Sequence, residues 1–206
     1  MYARSTTING DSGAIDAGIA YVRDQVMPML TEMPGFVGLS MMVDRESGRS
    51  IATASWASRD AMTASAAGVT AVRAKAAEIM GGVPVVDEWE IAMMHREHEA
   101  RTGSCCRVTW LQMDPEGIDS MIDRFRATVL PSLEEMSGFC SASLLVDRAS
   151  GRGVAVANFD NAEALERNKG ALDTIKATGS QEANAEVLDQ CDFELAVAHL
   201  RVPEMV

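Results

Sequence analysis

The stretch GFVGLSMMVDRESGR (35–49) returns as GFCSASLLVDRASGR (138–152), and the recurrence reaches well beyond that phrase. Sliding the chain by 103 positions makes 24 of the 59 positions from Arg4 to Met62 identical, including Arg4/Arg107, Arg23/Arg126 and Pro28/Pro131. One extra residue then enters the second copy, and Glu90/Glu194 and His95/His199 match at an offset of 104. A match of this length predicts two structural units, not two scattered motifs. It places a first repeat at 1–97, a polar linker at 98–106 and a second repeat at 107–206.

Each copy carries the same run of local signals. Ile15, Ile19, Val22, Val26 and Leu30 recur at three- and four-residue steps, which predicts a helix from about Ala14 to Met33. Pro28 and its twin Pro131 lack the N–H a helix interior needs, so a kink or an early end is expected there. Val37–Val43 and Arg49–Ala57 are β-prone runs joined by Asp44-Arg45-Glu46-Ser47-Gly48, a hairpin ending in a glycine that tolerates positive φ. The VDRxSGR phrase is therefore read as a turn, with Asp44/Asp147 and Arg45/Arg148 fixing it. Ser58 and Asn161 are suited to cap a second helix, and Asp87–Arg96 reads as the closing strand.

Strand–helix–strand twice per copy is a ferredoxin-like βαββαβ unit of the α+β class. Its strands are apolar on both faces: Val37, Leu39, Met41 and Val43 alternate with Phe36, Gly38, Ser40 and Met42. Both faces need cover, and the simplest arrangement packs the two repeats sheet to sheet as an intrachain pseudo-twofold α+β barrel. The expected assembly is a monomer with this pseudo-dimeric barrel or a homodimer of it.

A net charge of −12 disfavours a nucleic-acid backbone or an anionic membrane as partner. No apolar run approaches the ~20 residues of a membrane span, and MYARSTTINGDSG lacks a signal-peptide layout, so a cytoplasmic protein is expected. The four cysteines show no metal-binding spacing: Cys105 and Cys106 are adjacent, and Cys140 and Cys191 stand singly. No metal and no cofactor is expected.

Pro34-Gly35-Phe36 opening a strand, and Trp56 followed by Ser58-Arg59-Asp60-Ala61 at a helix start, resemble the antibiotic-biosynthesis monooxygenase-like family of the dimeric α+β barrel superfamily. Ser137-Gly138-Phe139 and Phe159-Asp160-Asn161-Ala162 repeat the pattern in the second copy. The resemblance covers nearly the whole chain and implies the barrel fold, usually made by two separate chains. It also implies either cofactor-independent oxidation of a phenolic substrate or haem degradation. The haem-degrading members use an Asn in the first strand, and a Trp and a His on the second helix. Those places hold Thr7, Ser65 and Ala74, then Trp110, Asn168 and Ala177, so the resemblance does not extend to haem degradation.

The expected partner is a small apolar or aromatic molecule. Trp56, Ser55 and His95 are the candidate lining of a first pocket, with Phe159, Asn158 and His199 in a second and Thr7 and Trp110 on the first strands. His95 and His199 suit a general base near neutral pH, or are strand-end residues with satisfied hydrogen bonds. Glu90 and Glu194 suit a proton acceptor or an ion pair with a repeated arginine such as Arg4/Arg107 or Arg49/Arg152. Fourteen methionines suit a pliable apolar pocket or plain core filling. Two functional readings stand: a monooxygenase-like protein that oxidises its ligand without a cofactor, or a non-catalytic binding or interaction module of the same fold.

Overall fold

The computed structural model describes residues 1–205. Strand β1 (Tyr2–Asn9) leads into a broken helix built of α1 (Ile15–Tyr21), a π-helical turn (Val22–Val26) and α2 (Met27–Thr31). The hairpin β2 (Phe36–Asp44) and β3 (Arg49–Trp56), the long helix α3 (Arg59–Met80) and strand β4 (Pro84–Arg96) follow. The same order then recurs: β5 (Cys105–Gln112), α4 (Ile118–Arg124), a second π turn (Phe125–Val129), α5 (Leu130–Glu134), β6 (Phe139–Asp147), β7 (Arg152–Phe159), α6 (Ala162–Glu182) and β8 (Glu186–His199).

The fold is α+β, with eight antiparallel strands in the order β1-β3-β2-β8-β5-β7-β6-β4, which closes as a barrel. The chain divides into two compact units. The first is Met1–Trp89 with Glu194–Val202, and the second is Glu90–Phe193 with residues 203–205. Strand β4 thus begins in the first unit and ends in the second, while β8 does the reverse. The first unit pairs β2 with the end of β8, Val43 opposite Glu194. The second pairs β6 with the end of β4, Val146 opposite Glu90.

In the first unit, Leu39, Met41 and Val43 of β2 and Trp56 of β3 bury against Ile15, Leu30, Met62, Val69 and Met80 of the helices. Leu144 and Val146 do the same with Ile118, Phe125, Leu133, Leu165 and Leu172 in the second. Met42 and Ile51, on the other side of their strands, are buried as well, as expected of strands apolar on both faces. No helix among the described residues is long and apolar enough to cross a membrane.

Three local features carry lessons. The chain does not stop at Pro28; it widens into a π turn over the five residues before the last α segment, and Pro28 sits at the start of that segment. There its missing N–H costs least. Ser58 Oγ accepts from Ala61 N at 3.1 Å and Asn161 Oδ1 from Ala164 N at 2.9 Å, so both caps form as the sequence predicts.

The hairpin turn is held by Asp44, whose Oδ1 accepts from Glu46 N at 2.9 Å and whose carboxylate takes the Ser47 hydroxyl. Gly48 closes it at φ +77°, where an added Cβ would lie 2.3 Å from Gly10 O. The arginine of the phrase does something else. Arg45 donates to Glu194 at 2.7 Å and to Asp16 at 2.8 Å, and Arg148 donates to Glu90 at 2.8 Å and Asp119 at 2.7 Å. The arginine partners of Glu90 and Glu194 are therefore Arg148 and Arg45, not Arg4/Arg107 or Arg49/Arg152. Strand pairing brings Glu194 beside Val43, within reach of the turn.

Candidate functional site

Each unit contains a cavity between its strands and its helices. The first, of about 80 Å³, is walled by β1, β2, β3, the broken helix and α3. The second, of about 100 Å³, is walled by the matching elements of the other unit. The linings correspond position by position: Arg4/Arg107, Thr6/Thr109, Ala54/Ala157 and Arg73/Lys176 lie at the 103-residue offset. Each has room for more than a single water. The walls are mostly aliphatic, with two cationic side chains, Arg4 and Arg73, in the first and three, Arg107, Arg124 and Lys176, in the second.

Small residues open the space. Ala52 and Ala54 on β3, and Ala76 on α3, stand where larger side chains would fill the gap between sheet and helix. In the second unit Ala155, Ala157 and Gly179 do the same.

Arg4 enters from β1 and is 6% exposed. Its Nε and Nη2 donate to Glu88 Oε1 at 2.9 and 2.7 Å, Nη1 to Ser65 Oγ at 2.9 Å, and Nη2 also to Met62 O at 2.8 Å. Arg73 reaches in from α3 and donates to Thr6 Oγ1 at 3.3 Å, with no ion-pair partner among the described residues. Burial, and then the neighbouring Arg4 charge, pull its pKa below the ordinary arginine value, while Glu88 offsets this in part. Two guanidiniums thus face one carboxylate. Trp56 adds a third donor: it is 1% exposed, and its indole Nε1 is buried without a partner.

The second cavity is electrically different. Arg107, 5% exposed, donates to both oxygens of Asp192 at 2.7 and 2.9 Å and to Asp173 at 3.1 Å. The Asp192 hydrogen bond outweighs burial and raises the Arg107 pKa. Lys176 lies 3.4 Å from Asp173, and Arg124 donates to Glu182 at 2.9 Å. Every cation there has a carboxylate. Phe159, the counterpart of Trp56 at the 103-residue offset, cannot donate and does not line this cavity; it packs on Phe139 with ring centroids 6.0 Å apart.

Of the residues singled out in the sequence, Trp56 lines a cavity. Strand alternation puts Thr7, Ser55, Trp110 and Asn158 on the opposite side from the lining residues Thr6, Ala54, Thr109 and Ala157. Asn158 Nδ2 donates to Ser141 Oγ at 3.0 Å, and the Trp110 ring meets Phe193 edge-on at 6.3 Å. Neither histidine lines a cavity. His95 stacks on Phe139 and lies 3.0 Å from Glu134, and His199 stacks on Phe36 at 6.2 Å. Arg73 does not stand out in the sequence, because its helix carries two further cations, Arg59 and Lys75. Its signal was a cation kept at the same helical place in both copies, Arg73 and Lys176.

No family model matches the chain. It is 53% identical over 206 residues to the uncharacterized protein Rv2557 of Mycobacterium tuberculosis, covering 100% of this chain and 92% of that one. It is 47% identical to Rv2558 of the same organism, covering 100% of this chain and 88% of the relative. Among solved structures, an anthrone oxidase-like protein superposes with a TM-score of 0.69 at 12% identity, over 96% of this chain and 91% of the other. A monooxygenase-like protein of Listeria innocua gives 0.55 at 12% identity, over 95% and 94%. At such identities the likeness is one of fold, the ferredoxin-like barrel of monooxygenase-like proteins.

Proposed function

We propose, for a chain that belongs to the family of the Mycobacterium tuberculosis proteins Rv2557 and Rv2558, that it binds a small aromatic or apolar organic anion in the cavity of its first unit. One observation carries this reading. An apolar space is bordered by Arg4, which is paired with Glu88, and by Arg73, which has no ion-pair partner among the described residues, with the unpartnered Trp56 indole N–H in the same wall. A buried donor left unpaired costs about 1–3 kcal/mol, which an acceptor on a ligand recovers. Aliphatic walls take the ring or chain, and Arg73 and Trp56 take the carboxylate or phenolate. The second cavity, with its charges internally matched, suits a neutral apolar guest.

Benzoate, watched by NMR through the Trp56 indole N–H, tests this. The reading expects that resonance to shift on titration. An indole signal that stays in place while benzoate is raised to millimolar concentration contradicts it.

A second reading is oxidation of a phenol in the same cavity without a cofactor. Its support is the fold shared with the anthrone oxidase-like protein, together with a cationic border that favours the ionised, electron-rich form of a phenol. Incubation with anthrone under oxygen, followed by quinone absorbance, decides it. Turnover absent above buffer leaves binding without chemistry.

A further inference from the structure

Away from both cavities, three chemically different side chains meet at one corner of the second unit. Cys140 lies at the start of β6, where the pairing with β7 shifts register between Phe139 and Ser141. Asp160 follows the last residue of β7, and His98 follows the end of β4. The corner is tied by its backbone: Glu97 N and His98 N both donate to Cys140 O, at 2.9 and 3.2 Å, and Asp160 N donates to Gly138 O at 2.9 Å.

We propose that His98 Nε2, Cys140 Sγ and Asp160 Oδ1 form a binding site for a thiophilic divalent cation of the zinc class. The imidazole nitrogen lies 2.8 Å from the carboxylate oxygen and the sulfur 3.5 Å from it, and all three atoms fall within 4.8 Å of one another. A tetrahedral cation with bonds of about 2.0–2.3 Å needs its ligand atoms about 3.4 Å apart. Half-exposed His98 and Asp160 supply the small opening required by side-chain rotation, while buried Cys140 stays fixed. Sulfur with imidazole selects zinc-like ions over magnesium or calcium. Three protein ligands leave a fourth position for water, the pattern of zinc sites that remain open to a further ligand. Binding exchanges the Cys140 thiol proton for the metal and releases it to solvent, with no change of oxidation state.

The fold does not need these residues to make such a corner. At the matching places the first unit has Val37 for Cys140, Ala57 for Asp160 and Val202 for His98. A thiol, an imidazole and a carboxylate replace three apolar side chains together, which a plain hydrogen-bonded corner does not require. Nearby, His95, Glu97 and Glu134 also gather, but without a thiol. Only the first trio can give a sulfur-to-metal signature.

Cobalt(II) added to the reduced full-length protein tests the assignment. The expected result is one equivalent bound, with a thiolate-to-cobalt charge-transfer band that zinc displaces. The band disappears in Cys140→Ser, and His98→Ala and Asp160→Asn each weaken binding on the order of tenfold or more. The latter two lie on the surface and leave the fold intact, as circular dichroism would verify. Absence of the band overturns the assignment, and so does a band that survives Cys140→Ser, which would place the metal on Cys105, Cys106 or Cys191. Unchanged affinity in both surface variants overturns it equally.

Discussion

Arg4 and Glu88 form a two-pronged ion pair, Nε and Nη2 of one guanidinium converging on Oε1 at 2.9 and 2.7 Å, and Arg4 also lines the first cavity. The arginine is buried and the carboxylate is half exposed. Their losses should therefore differ. Arg4→Ala removes four hydrogen bonds from the interior and should destabilise by about 2–3 kcal/mol, whereas Glu88→Ala leaves Arg4 bonded to Ser65 and Met62 and should cost about 1 kcal/mol. Urea denaturation of both variants checks this order. Equal, sub-kcal losses would mean the pair behaves as a surface contact.

Filling the space should separate binding from stability. Ala52→Leu extends an aliphatic side chain into the first cavity from β3. It should abolish benzoate binding while leaving stability unchanged or raising it by up to about 1 kcal/mol. Retained affinity would place the ligand elsewhere.

The turn glycine is a strict requirement. Gly48→Ala forces a side chain onto φ +77° and within 2.3 Å of Gly10 O, and should cost about 2 kcal/mol or more in thermal or chemical melts. Gly151→Ala, at φ +73° and 2.1 Å from Met113 O, should match it.

Acid exposes the twin turn. The Ser150 hydroxyl hydrogen bond is the largest cause that holds Asp147 below the usual aspartate pKa of 3.8. A depressed carboxylate contributes stability that is full above its unfolded pKa and is lost as pH falls through the folded one. Ser150→Ala should therefore be less stable than the parent at neutral pH, and the difference should shrink as pH drops below 3.8. Denaturation midpoints across that range measure it, and a constant difference would contradict the assignment.

Much of the fold is legible because its signals are local. Ser58 and Asn161 cap helices wherever those helices lie, and Asp44 and Gly48 make their turn within five residues. Roles set by distant pairing are not legible in this way. Arg45 meets Glu194 only because the end of β8 pairs with β2, and repetition between the copies fits other arginines equally well. Trp56 was legible through the resemblance to monooxygenase-like proteins, which have an aromatic near the end of the third strand. Arg73 was not, since a helix cation reads as solvated until the cavity beside it is seen. His98, Cys140 and Asp160 share no spacing motif; three strand ends bring them together.

In the proposed function, the first cavity recognises a negative charge through Arg73. Calorimetric titration of benzoate and of its neutral amide, benzamide, into the parent and Arg73→Gln proteins tests it most directly. The expected result is a preference for benzoate on the order of tenfold in the parent, reduced to near parity in Arg73→Gln. Equal affinities in the parent, or a preference that survives loss of Arg73, would contradict it.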